Sequence, residues 1–394
     1  MTTVSTESRS QLRAWLGVAA ITASLFVFVT TELMPVGLLT PVSAGLSVSV
    51  SLAGMMVTLY GISAGVGVPF LVAWSRTVNR RALLAMLLVI MALGNLVTAV
   101  SPNFPIVLAA RLVTGFAHGV FWAIGVAMAM RLVPGEKASK AAAVVLSGMS
   151  IATVVGMPLG TLIESLTDWR TTFLIWSGLS LVVLLAVVLT LPSLPSQSAI
   201  PVREVFALPI RNGRLRAVMI TVALYVLGHF GAYTFIRPFM EQRAGASAAW
   251  VTGLLIVFGV GGAVGNFVAG HTVNKNMRAT FVVACTGLVA SLLLLLVIGD
   301  SPAGLAVAVV TWGLSFGAAN LCQVNMMLAA APDTFEAAMS LNTMGYNISI
   351  ALGALLGGLF ADGFGTTGAV WFGVALTATA LLTAFSSHRD AAHA

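Results

Sequence analysis

The sequence is short of charge. Lys and Arg number 19 and Asp and Glu 12 in 394 residues, 8% in all, where ordinary globular domains carry roughly a quarter. With 59% of residues hydrophobic, no water-soluble fold hides that much apolar surface. Cysteine is equally scarce. Cys285 and Cys322 both fall inside apolar runs, where each packs as a small hydrophobe and points to neither a disulfide framework nor a metal site. Strand-like alternation is missing, which argues against a β-barrel. The clustered Asp, Glu and His of a membrane-embedded enzyme are missing too, as is the Gly-rich Lys motif that cradles nucleotide phosphates. Loops too short for an extramembrane domain speak against a receptor or scaffold. Neither an enzyme nor any cofactor is expected.

What is present is a series of apolar runs of about twenty residues, the length of helix that crosses a hydrocarbon core. Twelve spans follow, at 15–39, 51–74, 82–100, 106–130, 141–163, 171–191, 218–236, 250–270, 280–299, 304–328, 340–361 and 370–385. The first run is longer than the apolar part of a signal peptide and lacks a small-residue cleavage site, so it reads as a retained helix. Basic residues set the orientation, because positively charged short loops stay on the cytoplasmic side. Arg76, Arg80, Arg81, Arg131, Lys137, Lys140, Arg203, Arg211, Arg214, Arg216, Lys275 and Arg278 fall in one set of loops, with Arg9, Arg13 and Arg389 in the tails. The other side holds only Arg170, Arg237 and Arg243. Both termini are therefore expected in the cytoplasm. The net charge of +7 reflects this topology and an anionic inner leaflet, with no need of a nucleic-acid partner.

A hydrophilic stretch at 192–216 divides the chain into halves, 1–191 and 217–394, each with six spans. The halves echo each other. Arg76-Thr77-Val78-Asn79-Arg80 after the second span returns as His271-Thr272-Val273-Asn274-Lys275 after the eighth, and Gly156-Met157-Pro158-Leu159-Gly160 in the fifth as Gly353-Ala354-Leu355-Leu356-Gly357 in the eleventh. Such parallel duplication places a substrate site between the halves, near the midplane. The expected fold class is an all-α integral membrane protein of two pseudo-symmetric six-helix bundles.

Several stretches carry a resemblance: Thr31-Glu32-Leu33-Met34-Pro35 in the first span, Ala110-Arg111-Leu112-Val113-Thr114-Gly115 with His118 in the fourth, and Gly156-Met157-Pro158-Leu159-Gly160 in the fifth. Trp169-Arg170, Gly228-His229 through Arg237-Pro238, and Asn347 through Gly353 add to it. Over nearly its whole length the sequence resembles the major facilitator superfamily, and within it the drug and sugar proton antiporters with twelve spans. It is most similar to the bacterial sugar-efflux type, which overlaps with chloramphenicol exporters. The resemblance implies alternating access, and the span-five cluster of Gly156, Pro158 and Gly160 resembles the antiporter motif that marks exporters. One departure stands out. The family's Asp after the second span is absent from Arg76-Thr77-Val78-Asn79-Arg80-Arg81, so locking by that acid is in doubt. Arg80 and Arg81 then work through backbone carbonyls, lipid headgroups or Glu136, or simply anchor the topology.

Coupling can be argued from the residues themselves. A charge near the bilayer centre costs about 2.5 to 3.5 kcal/mol, and Glu32 and Arg111 are the two formal charges well inside spans, at matching depth. Burial disfavours ionised Glu32 and a neighbouring guanidinium favours it, so the acid is poised to gain and lose a proton. A permanent structural pair is the alternative. His118 and His229 sit near the midplanes of opposite halves, as proton or solute contacts or as neutral core histidines. Asn320, Gln323, Asn342 and Asn347 offer amides to a hydroxyl-rich ligand or to neighbouring helices. Trp122 and Tyr233 have rings that stack on a sugar or an aromatic drug, Tyr233 serving equally as an interfacial anchor.

The expected function is proton-coupled export of a small organic solute, such as arabinose or a thiogalactoside. Amphenicol or multidrug efflux is the alternative on the same fold, and a receptor or scaffold the alternative of another class. The expected partners are solute, protons and the bilayer, for a monomer in the bacterial inner membrane.

Overall fold

The computed structural model describes residues 2–74, 78–195 and 202–386. In chain order the helices are α1 (Thr2–Leu46), α2 (Val50–Trp74), α3 (Arg80–Val100), α4 (Phe104–Met130), α5 (Ala138–Ile151), α6 (Met157–Leu166), α7 (Trp169–Thr190), α8 (Val202–Arg211), α9 (Gly213–Tyr233), α10 (Ile236–Ala244), α11 (Ala248–Ile298), α12 (Pro302–Ala330), α13 (Phe335–Phe364) and α14 (Thr366–Ser386). Among the described residues, ten helical segments are long and apolar enough to cross a membrane. The longest, α11, holds two spans, because Asn276 leaves helical geometry (φ −156, ψ 90). Its Oδ1 accepts the Ala279 N–H at 2.9 Å and starts the second arm as an N-cap would. With those arms counted separately, and with α2, whose apolar stretch Val50–Val66 is shorter, the expected twelve spans are present. The hydrophilic stretch at 192–216 contains the helix α8.

Helix starts are written in local chemistry. Asn103, Asp168, Asn212, Ser247 and Ser301 each accept a backbone N–H in the first turn of the helix that follows, filling donors that have no partner within the helix. The fifth span is not one α-helix. A π-helical turn, Ala152–Gly156, joins α5 to α6. Pro158 stands in the first turn of α6 and has no N–H to return to the preceding turn, which the wider turn accommodates.

The first-half core gathers Phe28, Leu84, Leu88, Phe121 and Val187, among others, between α1, α3, α4 and α7. A second core centred on Tyr225, Phe230, Phe258 and Trp312 fills the second half, and also takes in Val36, Val57 and Met157 from the first. The halves meet where α2 packs on α13 and where α6 and the π-helical turn pack on α11. A Cβ on Gly259 of α11 would lie 2.6 Å from the Val154 Cα, so only glycine admits the π-helical turn this closely.

Candidate transport site

Two prolines inside α1 prepare the site. A proline has no N–H to give the carbonyl four residues back, so Pro35 leaves the Thr31 carbonyl without its helical donor and Pro41 does the same for Gly37. Each carbonyl is taken by a buried arginine. Arg111 of α4 donates from Nη1 to Thr31 O at 2.8 Å, and Arg237 of α10 donates from Nη1 to Gly37 O at 2.6 Å.

Arg111 also donates to Met56 O at 3.0 Å and to Glu32 O at 3.4 Å, and its guanidinium carbon lies 4.2 Å from the Tyr60 ring centroid. The expected side-chain pair of Glu32 with Arg111 is therefore replaced. The guanidinium is turned to three backbone carbonyls, and the Glu32 carboxyl goes to His118, with Oε2 3.3 Å from Nε2. Its other oxygen, Oε1, is buried with no hydrogen-bond partner. Trp122, one turn along α4, donates its indole N–H to the same His118 Nε2 at 2.8 Å. Tyr60 donates to Phe28 O at 3.2 Å, and its ring and that of Phe28 flank His118 edge-on.

In the other half His229 lies in an aromatic box. Phe316 stacks on it at 3.7 Å between centroids and Tyr233 at 5.0 Å, while Trp312 donates its indole N–H to Nδ1 at 3.0 Å. Nε2 has no partner. Tyr233 is 3% exposed and its hydroxyl meets Met157 Sδ at 3.5 Å, so it is a core residue reaching the other half and no interfacial anchor. Beside the box, Asn320 Oδ1 accepts from Gln323 at 2.8 Å, Tyr346 at 3.3 Å and Tyr225 at 3.5 Å. Gln323 Oε1 is left unpaired; so is Asn347 Oδ1, whose amide nitrogen donates to Thr343 O at 2.9 Å.

Buried polar atoms are normally hydrogen-bonded. The described residues leave seven side-chain atoms unpaired, and five belong to Glu32, His118, His229, Gln323 and Asn347. The two sets are linked. A Cβ on Gly61, next to Tyr60, would stand 2.9 Å from Asn347 O, Tyr346 lies within electrostatic reach of Glu32, and its ring faces Phe230 of the aromatic box. This is a polar band crossing both halves.

Further along, at the end holding the α1–α2 and α13–α14 turns, polar bonds tie the halves together. Arg237 binds Glu164 of α6 at 2.8 Å and Glu241 at 2.7 Å, Thr40 donates to Glu241 at 2.6 Å, and Thr161 and Thr252 share a bond of 2.9 Å. Arg237, assigned from sequence to a loop, is thus 5% exposed and bridges the halves.

The family model of the Major Facilitator Superfamily matches residues 16–337. The chain belongs to this superfamily. The human organic anion transporter MFSD10 (TETRAN) is similar in structure, with TM-score 0.69 and 16% identity over 95% of this chain and 99% of that one. A bacterial homologue of the human lysosomal transporter Spinster is similar in two inward-facing states. Unoccupied, it gives TM-score 0.70 at 14% identity over 95% of this chain and 97% of the other; occupied, 0.74 at 14% over 94% and 96%. Superfamily membership makes the chain a multi-pass secondary transporter acting by alternating access on a small molecule, not an enzyme.

Against the superfamily pattern, the remaining sequence-derived residues fall as follows. Gly156 closes the π-helical turn and packs on Thr30, while a Cβ on Gly160 would stand 2.9 Å from Met34 Cγ. Arg81 donates to Val188 O at 2.6 Å, and the Arg80 backbone N–H donates to Leu194 O at 2.8 Å, so backbone carbonyls of α7 and of the stretch that follows it serve this loop. Arg76 lies outside the described residues. Tyr60, Tyr225, Trp312, Phe316 and Tyr346 were not singled out in the sequence, being apolar-run aromatics like any others. Pro35 and Pro41 were the usable signal for the two arginines.

Proposed function

We propose that this superfamily member exports a small, hydroxyl-rich organic solute in exchange for protons, with Glu32 and His118 carrying the proton and the band between the halves holding the solute. The observation that carries the reading is Glu32: a buried carboxyl resting on a histidine, not neutralised by the nearby arginine, with one oxygen unpaired. Across from it, Gln323 and Asn347 present open acceptors suited to hydroxyl donors. The rings around His229 favour the second reading, an amphenicol or other aryl drug, which would bind against them.

In this scheme residues 1–191 and 217–394 are the two moving units, joined by 192–216. Basic loops place both termini in the cytoplasm of a bacterial inner-membrane protein. The bonds through Arg237 then close the outer side. The chain works as a monomer, since each half completes the site of the other.

Uptake into inverted vesicles made acidic inside, compared for arabinose, a thiogalactoside and chloramphenicol, tests energy source, direction and solute class together. Acid-driven uptake of one of them is expected; uptake independent of the pH gradient refutes proton coupling. Gln323→Ala and Asn347→Ala should weaken solute binding several-fold with little change in melting temperature. Unchanged affinity with a lowered melting temperature would assign the amides to packing.

A further inference from the structure

His118 Nε2 has two neighbours that make opposite demands on it. The Trp122 indole, 2.8 Å away, only donates, so its bond requires a bare lone pair on Nε2 and places the neutral ring's hydrogen on Nδ1. Glu32 Oε2 lies 3.3 Å from the same nitrogen. A carboxylate accepts from Nε2 only if Nε2 carries the hydrogen. A ring nitrogen has one in-plane site, so these bonds exclude each other. With Glu32 protonated, its hydroxyl and the indole N–H are both donors to the one lone pair, and the indole, at 2.8 Å against 3.3 Å, holds it. With Glu32 ionised, its oxygen repels the lone pair, and the hydrogen is favoured on Nε2. Moving it there from Nδ1 gives up little, because Nδ1 meets hydrogen-bond geometry with no partner and the Phe28 carbonyl beside the ring is already held by Tyr60. The balance is one proton released to water, one hydrogen moved within the imidazole, and one indole N–H left without its acceptor.

The groups facing the pair are otherwise fixed. Arg111, on α4 with His118, is held by three carbonyls and stacks on Tyr60 of α2. Tyr60 donates to Phe28 O of α1. Tyr346 of α13, within electrostatic reach, donates to Asn320. Glu32 and His118 are buried, whereas Trp122 is only partly so. The side chain with room to turn is the one whose bond is lost.

We propose that Trp122 couples proton release to solute binding: ionisation of Glu32 transfers the His118 Nε2 hydrogen bond from the indole to the carboxylate, and the freed indole N–H becomes a donor for an acceptor oxygen of the solute. Trp122 is thereby a solute-contacting residue whose availability is switched through His118. This rests on Glu32 being the coupling acid, and deepens that reading.

The test is a pH titration of the intact, detergent-solubilised protein without solute, reading Trp122 emission as the difference between parent and Trp122→Phe. Emission that changes with pH in the parent, and stays at its acid-side value at every pH in Glu32→Gln, is expected. His118→Phe, which removes the shared nitrogen, should silence the same component and serves as the second variant if Glu32→Gln does not fold. Because the indole bond exists only while Glu32 is protonated, Trp122→Phe should lower the proton affinity measured by proton uptake about fivefold, the size of one net hydrogen bond. Flat Trp122 emission, or an undiminished titration in Glu32→Gln, overturns the proposal. The two ideas fail separately. Flat emission with transport lost in Glu32→Gln sinks the Trp122 link alone, whereas transport intact in Glu32→Gln sinks the coupling acid.

Discussion

His118 and His229 occupy opposite halves, both buried, and each accepts an indole N–H, from Trp122 and Trp312 respectively. Their settings differ in one respect that decides their chemistry. Beside His118 lies the Glu32 carboxyl, so a proton has somewhere to go. His229 is walled by the rings of Phe230, Tyr233, Phe258, Trp312 and Phe316, which offer no acid to stabilise an imidazolium. A buried cation without a partner is costly. His229 therefore stays neutral, with Nδ1 accepting and Nε2–H free to donate. Under the proposed function, the first half serves proton exchange and the second recognition.

The largest effect should come from removing that asymmetry at its source. Glu32→Gln keeps the shape of a protonated acid and cannot release the proton, so pH-driven accumulation should collapse to equilibration. One proton moving down 100 mV is worth about 2.3 kcal/mol, or about fiftyfold in concentration. Vesicle uptake measures the loss, and a variant that still concentrates solute would end the assignment.

Next comes the arginine that holds the acid's helix. Arg111→Ala strips three carbonyls of their donors and should cost about 3 kcal/mol, seen as a lowered melting temperature. Arg111→Lys should cost less, retaining the charge but not the fork that reaches several carbonyls at once. Equal losses in the two variants would show that the charge itself is dispensable.

His229→Phe sharpens the comparison from the recognition side. The Trp312 indole loses its acceptor, at about 1 to 3 kcal/mol of stability, and solute affinity falls, yet the pH profile of uptake should not move. A displaced profile would place a second titrating group in the C-terminal half.

The smallest effect is expected outside both sites. Asp168 caps α7 by accepting the Thr171 N–H at 2.7 Å, and that bond holds its carboxyl below the usual carboxylate range. The capping contribution is thus present at neutral pH and lost as the pH falls below about 4. Asp168→Ala should cost about 1 kcal/mol by thermal unfolding, with unchanged coupling.

Much of this was legible in the residues. Glu32 and Arg111 announced themselves as charges inside apolar runs, and burial of both is what membrane energetics requires. Their direct pairing was a reasonable expectation that failed, because matching depth says nothing of azimuth. The guanidinium found the carbonyl that Pro35 had freed, while His118 was close enough to take the carboxyl. Arg237 shows the same limit: its place past a span end was legible, but its burial against the Gly37 carbonyl and the two acids that bind it was not.

The sequence by itself determined the class, the number of spans and the breaks between them, because hydrocarbon thickness, backbone hydrogen bonding and the distribution of charge act locally along the chain. It also picked out most of the polar residues that gather in the band between the halves, since each is expensive to bury and therefore conspicuous. Which of them touch was decided only by tertiary structure. Partners on α1, α4, α9, α12 and α13 meet through the angles at which helices pack, and those angles depend on close contacts such as Gly259 against Val154 that no single segment encodes.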